Sequence, residues 1–401
     1  MKSKLLATSA LAAVGLWGTT EAAFAQAKVA PITVVVGGYF EQMFGYASNE
    51  SGVLGGNITA AGGAGTTATE SKPTGFQQHS DTEIWFGGRT TLANGITIGF
   101  DVQLEGNTAS DQIDESYLFV DGAFGRFVIG SENDASYIMH YAAPGAGKAY
   151  GPLESTAADW VQRPANVSFI STTATRLVSD SPSSDRSGGQ ALGSGDDQNR
   201  ITYYTPRFFG FQGGASFTPS NAEDASAFAP VNKNQARTSA WTGAINYVNS
   251  FSGFDVAVSA GISYWPKVQN VVSTSSLSDD IVDYSFGINL GYMGFVVGGA
   301  YRRYDAGDNN VNDGYAYSIG ATYTTGPFAV GLSWHHSHTE GLTTAGVEDN
   351  VDQILLSGAY TMGPGVDLIG SIFYMKYDDN TSVEANNNKG VGAVGGVRLS
   401  F

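Results

Sequence analysis

From about residue 32 to the final Phe401, the sequence returns repeatedly to stretches of about ten to twelve residues in which apolar or aromatic side chains alternate with small or polar ones. That period of two is the signature of a strand with unlike faces. Ile84, Phe86, Thr90 and Leu92 alternate with Glu83, Trp85, Arg89 and Thr91. After the hairpin signal Asn94-Gly95, Ile96, Ile98, Phe100, Val102 and Leu104 alternate with Thr97, Asp101, Gln103 and Glu105. Further on, Phe254, Val256, Val258, Ala260, Ile262 and Tyr264 share one face, and so do Val282, Tyr284, Phe286, Ile288, Leu290 and Tyr292. The last stretch sets Val391, Ala393, Gly395, Val397, Leu399 and Phe401 in one phase.

Sixteen such segments are counted, near 32–46, 81–93, 96–107, 115–122, 126–132, 198–206, 211–219, 237–249, 253–265, 281–293, 295–304, 314–325, 328–338, 350–362, 366–377 and 390–401. Tight turns such as Met293-Gly294 alternate with long loops rich in Gly, Ser, Asn and Asp, which describes an up-and-down meander with polarised ends. A soluble sandwich also alternates, but its strands average about five or six residues. The longer runs here suit tilted strands crossing a bilayer. Aromatic residues such as Phe211, Phe217, Tyr264, Tyr292, Tyr315 and Phe328 near segment ends would sit at headgroup level. The opposite face is small and polar, as in Gly287, Asn289 and Gly291, and suits a wet lumen better than a dry core. Open sheet edges in hydrocarbon would leave backbone groups unpaired, so the sheet must close. The expected fold is therefore all-β, a sixteen-stranded antiparallel transmembrane barrel.

Composition narrows the function classes. With no cysteine, disulfide scaffolds and thiol chemistry are excluded. Beyond the first residues no apolar run is long enough for a transmembrane helix. A net charge of -17 has the wrong sign for holding nucleic acid through its phosphates. At the N-terminus, Lys2 and Lys4 precede an apolar run from Leu5 to Trp17, and Ala23-Phe24-Ala25 forms a small-x-small cleavage site. Residues 1–25 read as a secretory signal peptide and 26–401 as the barrel domain, with a rival cut after Ala27. Removing Lys2, Lys4 and Glu21 would take the net charge from -17 to -18.

The segment Gly125-Arg-Phe-Val-Ile-Gly130, the string Asn199-Arg-Ile-Thr-Tyr-Tyr-Thr-Pro-Arg-Phe-Phe-Gly-Phe211, the sixteen-strand rhythm and the alternation ending in Phe401 resemble the general diffusion porins of Gram-negative outer membranes, in particular their alphaproteobacterial branch. The resemblance covers essentially the whole of the chain after the signal peptide. It implies a homotrimer in the outer membrane, passive diffusion of ions and small hydrophilic solutes, and a third long loop folded inward to narrow each pore. It also implies partners in outer-membrane lipid and lipopolysaccharide, and in the barrel-assembly machinery that reads a terminal aromatic such as Phe401. The connection 133–197 is by far the longest and stands where that loop belongs.

Alternation points Arg89, Arg200 and Arg398 to the lumen. Arg89 and Arg200 are expected to oppose loop carboxylates, chiefly Glu154 and Asp159, across the constriction, so that a transverse field orients dipolar solutes. The sequence departs from the family pattern in offering Ser116 and Tyr117 on the fourth strand, where an arginine is often found, and in lacking a Pro-Glu-Phe-Gly-Gly string in the loop.

Other signals carry no chemistry. In His335-His336-Ser337-His338, His335 points away from the other two histidines, and a strand end at the outer rim accounts for all three. Gly145-Ala-Gly-Lys148 lacks both the leading Gly and the hydroxyl of a phosphate loop. Asp308, Asn310 and Asn312 lack the glycine and glutamate of a calcium loop. No cofactor is expected beyond Ca²⁺ or Mg²⁺ held weakly by acidic external loops, and no nucleophile–base pair suggests an enzyme. After signal removal, acidic residues outnumber basic ones 36 to 18, which predicts a modest cation preference. The rival functions are a substrate-specific channel and a structural or adhesive barrel with a plugged lumen.

Overall fold

In a computed structural model, the described residues are 31–50, 75–106, 112–145, 160–162, 164, 169–170, 177–178, 198–220, 238–267, 280–305, 313–340, 348–380 and 387–401. The signal peptide expected over residues 1–25 lies outside them, as do Lys148 and the stretch from Asp308 to Asn312.

The strands are β1 (Thr33–Ala47), β2 (Phe76–Thr91), β3 (Thr97–Glu105), β4 (Ile113–Gly122), β5 (Gly125–Ser131), the two-residue β6 (Phe169–Ile170) and β7 (Leu177–Val178), then β8 (Asn199–Tyr204), β9 (Phe211–Ser220), β10 (Thr238–Phe251), β11 (Phe254–Trp265), β12 (Ile281–Tyr292), β13 (Phe295–Asp305), β14 (Gly314–Thr325), β15 (Phe328–Glu340), β16 (Glu348–Gly363), β17 (Val366–Asp379) and β18 (Asn388–Ser400). One short helix, α1 (Ala135–Ile138), follows β5. Sixteen of the strands form one closed antiparallel barrel in sequence order, in which β18 pairs with β1, while β6 and β7 pair only with each other. All sixteen segments read from the sequence are present. β2 starts at Phe76 rather than near 81, because Gln77, Gln78, His79, Ser80 and Asp81 carry no apolar alternation to mark them.

The phase that the sequence assigned to lipid is the exposed one. Phe286 is 52% exposed, Leu290 49% and Ile319 56%, whereas their neighbours Ser285, Asn289 and Ser318 are buried on the inner face. Cross-strand aromatic pairs band the exterior near the short turns: Phe254 stacks on Tyr292 with ring centroids 4.1 Å apart, and Phe295 on Tyr323 at 4.3 Å. The two-residue turns Ser252-Gly253 and Met293-Gly294 have positive φ at both positions, 51° and 86° in the first and 47° and 86° in the second. Such turns match the right-handed twist of the strands they join.

The barrel closes where the first and last strands meet. The Gly38 N–H donates to the Phe401 carbonyl at 3.1 Å, and the Phe401 N–H donates back to the Gly38 carbonyl at 3.1 Å. Inside this seam Arg398 forms an ion pair with the buried Glu41, and its guanidinium lies 3.8 Å over the Tyr39 ring.

The inner face is not uniformly small and polar. On β1 and β16–β18 it presents Met43, Val351, Leu355, Phe373, Met375 and Val394, which form a dry cluster with Trp160 and Val161. The sequence reading took the whole inner face as a wet surface. This sector departs from it because residues from the long 133–197 connection supply the apolar partners.

Placing a charge on the exposed phase tests the assignment of the faces. Ile288→Arg should cost about 2–4 kcal/mol of folding free energy in lipid vesicles. Urea titration of the reconstituted protein measures it, and a loss near zero would put Ile288 on the water side.

Candidate functional site

The site of interest is the inner wall together with the residues that lie against it after β5. The chain leaves β5 at Ser131 and turns inward at Glu132, Asn133 and Asp134, all three buried. Asp134 caps α1, accepting from the Ser136 and Tyr137 N–H groups at 2.8 and 3.0 Å. Its other oxygen accepts from the Thr242 hydroxyl of β10 at 2.9 Å. One carboxylate thus closes a helix start and ties it to the wall.

From there the segment follows the inner face around the barrel. The Ala135 N–H donates to Ser216 Oγ of β9 at 2.9 Å, and Asn246 Nδ2 of β10 donates to the Met139 carbonyl at 3.3 Å. The Tyr141 N–H donates to Ser259 Oγ of β11 at 2.9 Å, and the Ala143 N–H to Ser318 Oγ of β14 at 3.4 Å. Farther along, Trp160 and Val161 enter the apolar sector on β1 and β16–β18, where Trp160 meets the His79 ring edge-on at 4.6 Å. The Gln162 N–H donates to Asn49 Oδ1 at 2.7 Å, and Asn388 of β18 donates to the Gln162 carbonyl. Inward-facing hydroxyls and amides thus satisfy backbone groups that would otherwise be buried unpaired.

The described part of this segment runs against β9–β12 and β14 and then against β1 and β16–β18, and touches β2 at His79 and β4 at Glu115. The inner face of β2–β4 is different. Asp81 is exposed there, and Glu83, Asp101, Gln103, Glu105 and Asp121 are half-buried, together with the rings of Trp85 and Tyr117. The register sets Glu83 directly opposite Glu105, and carboxylate oxygens of Glu83, Asp114 and Glu115 lie within 4.8 Å of one another. Arg126 balances part of this charge, 3.6 Å from Asp121 and 4.4 Å over the Phe119 ring.

The residues singled out from sequence fall in different places. Arg89 is exposed near the short-turn end of β2. Arg200 is buried at the start of β8, where its Nε donates to the Gln198 carbonyl and its Nη2 to Gln198 Oε1, both at 3.1 Å. β3, β4 and β5 separate these two arginines around the barrel. Arg398 is at the seam with Glu41. Glu154 and Asp159 lie outside the described residues. His335 is buried on the inner face, while His336 and His338 face outward, His336 Nδ1 lying 3.0 Å from Asp352 and His338 Nδ1 3.0 Å from Asn350. Sequence reasoning did not single out Asp81, Asp101 and Glu105 as a wall, although Asp101 and Glu105 stand in the phase opposite Phe100, Val102 and Leu104. Nothing in the sequence marks Trp160 beyond an isolated indole within a polar loop.

Comparisons with known proteins converge on this architecture. A family model described as Gram-negative porin matches residues 7–380. The chain belongs to the Gram-negative porin family. This porin forms a channel for passive diffusion in the bacterial outer membrane, and its family is one of channels. Among solved structures it is similar to an anion-selective porin from Comamonas acidovorans, with a TM-score of 0.61 and 16% identity, covering 92% of this chain and 100% of that one. The outer membrane channel DcaP of Acinetobacter baumannii is similar at a TM-score of 0.56 and 12% identity, over 92% and 97% of the two chains. OmpT of Vibrio cholerae, in a trimer form, is similar at 0.53 and 15% identity, over 92% and 99%. A search of curated protein sequences finds no match. At these identities the likenesses establish the fold.

Glu132, one residue past β5, offers a handle on the inward turn. Burial pushes its carboxyl from an ordinary 4.5 up to about 7, against the opposing pull of the Asn133 N–H, the Tyr117 hydroxyl, Arg200 and Arg126. The folded protein therefore holds this proton more tightly than the unfolded chain. Its contribution favours the fold at low pH and is lost as pH rises from about 4.5 through about 7. Thermal unfolding followed between pH 4 and pH 8 should show a downward slope over that window, and Glu132→Gln should flatten it.

Proposed function

We propose that this porin admits small hydrophilic solutes with a preference for cations, through a pore that the segment after β5 narrows. The observation that carries the reading is the distribution of charge on the inner wall. On β2–β4, which the described segment touches at His79, Glu115 and Tyr117, the inward side chains include Asp81, Glu83, Asp101, Glu105 and Asp121. Carboxylates lining a pathway with low-dielectric walls raise the local concentration of cations and lower that of anions. Arg200 is buried against Gln198 and Arg398 is engaged by Glu41 and Tyr39, while Arg126 beside Asp121 and the exposed Arg89 offset part of the acidic charge. The structural neighbour from Comamonas acidovorans is described as anion-selective. A shared barrel does not carry that property over, since selectivity resides in the lining side chains.

The reading extends to assembly. A homotrimer in the outer membrane is the assembly we propose, in line with the trimer form of the Vibrio cholerae neighbour. Lipopolysaccharide around the rim and the barrel-assembly machinery at Phe401 are the partners that go with it.

Planar-bilayer recording in a salt gradient tests the selectivity. The reversal potential should have the cation-selective sign. Asp81→Asn combined with Asp101→Asn should lower the cation-to-anion permeability ratio by about two- to threefold, the weight of removing two partly screened charges. An anion-selective sign in the unmodified protein would refute the proposal.

A further inference from the structure

The inner wall meets the segment after β5 with glycines as well as hydroxyls. A Cβ built on Gly287 of β12 would lie 1.6 Å from the Tyr141 carbonyl oxygen. On Gly261 of β11 it would lie 2.7 Å from Ser136 Cβ, and on Gly320 of β14 it would lie 3.2 Å from the Pro144 carbonyl oxygen, as well as 3.1 Å from Ser333 Cβ and 3.2 Å from the Leu332 carbonyl of the neighbouring strand. On Gly214 of β9 it would meet Met139 Sδ at 2.5 Å and Ala135 Cβ at 3.0 Å. At Gly287 no other residue type leaves room for the Tyr141 peptide. Each glycine also stands near a hydroxyl that holds the same stretch of chain. Gly287 is the register partner of Ser259, so one cross-strand pair admits the Tyr141 carbonyl and binds the Tyr141 N–H. On β14, Ser318 accepts from Ala143 two residues before Gly320 makes room for Pro144.

We infer that Gly287, with Gly261 and Gly320, are positioning residues of the channel: they form a recessed rail that keeps the segment 135–144 flat against the wall and so sets the bore. This rests on the reading that the segment narrows the pore. The argument is geometric. Backbone on both sides of the contact at Gly287 leaves no flexible side chain to yield, so an added methyl must be absorbed by moving the Tyr141 peptide toward the lumen. At Gly320 a shift of a few tenths of an ångström suffices, and at Gly261 the neighbour is the short side chain of Ser136. The three sites therefore form a graded series. Gly243 of β10 faces outward, and a Cβ there meets only Ile262 at an ordinary 3.8 Å, which makes it the control.

The test is single-channel conductance of Gly287→Ala, Gly261→Ala, Gly320→Ala and Gly243→Ala in planar bilayers, with native folding checked by heat-modifiable migration on gels. Conductance should fall most at Gly287, where the Tyr141 peptide must move into the lumen. It should fall less at Gly261, least at Gly320, and not at all at Gly243. The same variants are then made in a background where residues 136–158 are replaced by a short Gly-Ser linker. That background should conduct more than the parent, and in it the glycine variants should match each other. If Gly287→Ala does not fold, the order of Gly261, Gly320 and Gly243 still decides the question. Equal conductance across the series, with a more conductive linker background, overturns the rail. A fall that persists in the linker background overturns it too. A linker background no more conductive than the parent overturns instead the reading that the segment narrows the pore.

Discussion

Everything in this structure depends on backbone amides that have no water to turn to. A strand crossing hydrocarbon must pair its N–H and C=O groups with neighbours on both sides, and sixteen strands can do so only by closing on themselves. Closure then inverts the usual logic of a soluble protein. Phe286, Ile288 and Leu290 point outward because the solvent there is lipid, and Ser285 and Asn289 point inward. Once the outside is fixed as apolar, the inside becomes the only surface on which polar chemistry can be arranged.

The inside is arranged by sector. The wall from β9 to β14 seats a covering segment through hydroxyls and glycines, beside a buried cluster of Trp265, Ile281 and Tyr304 and the buried Arg302–Asp283 pair. The wall on β1 and β16–β18 is oily and holds Trp160 and Val161. The wall on β2–β4 carries carboxylates, most of them half-buried. Three kinds of contact, polar pinning, apolar anchoring and charge, thus divide one cylinder. The first two hold polypeptide in place, and the third is available to solutes.

The sequence made the outer face legible and left the inner face largely hidden. Lipid selects strictly for apolar side chains, so Phe254 through Tyr264 or Val282 through Tyr292 declare their phase without help from tertiary context. The inner face obeys no single rule. Gly287 and Ser259 look like neutral lumen residues until the Tyr141 peptide is found between them. Leu355 and Phe373 gave no sign of an internal apolar sector, because their partner Trp160 is 195 and 213 residues away from them in the chain. The start of β2 was missed for a related reason: Gln77 to Asp81 are polar in both phases and show no period. Alternation puts Arg89 and Arg200 in the inner phase, but it cannot reveal that Arg200 is enclosed by Gln198.

The seam between Gly38 and Phe401 has a consequence for biogenesis. Because the two termini of the domain supply the joining edges, no intermediate length of polypeptide is a finished wall. Every nascent or truncated form carries a raw margin of unpaired amides, ready to zip onto any passing strand.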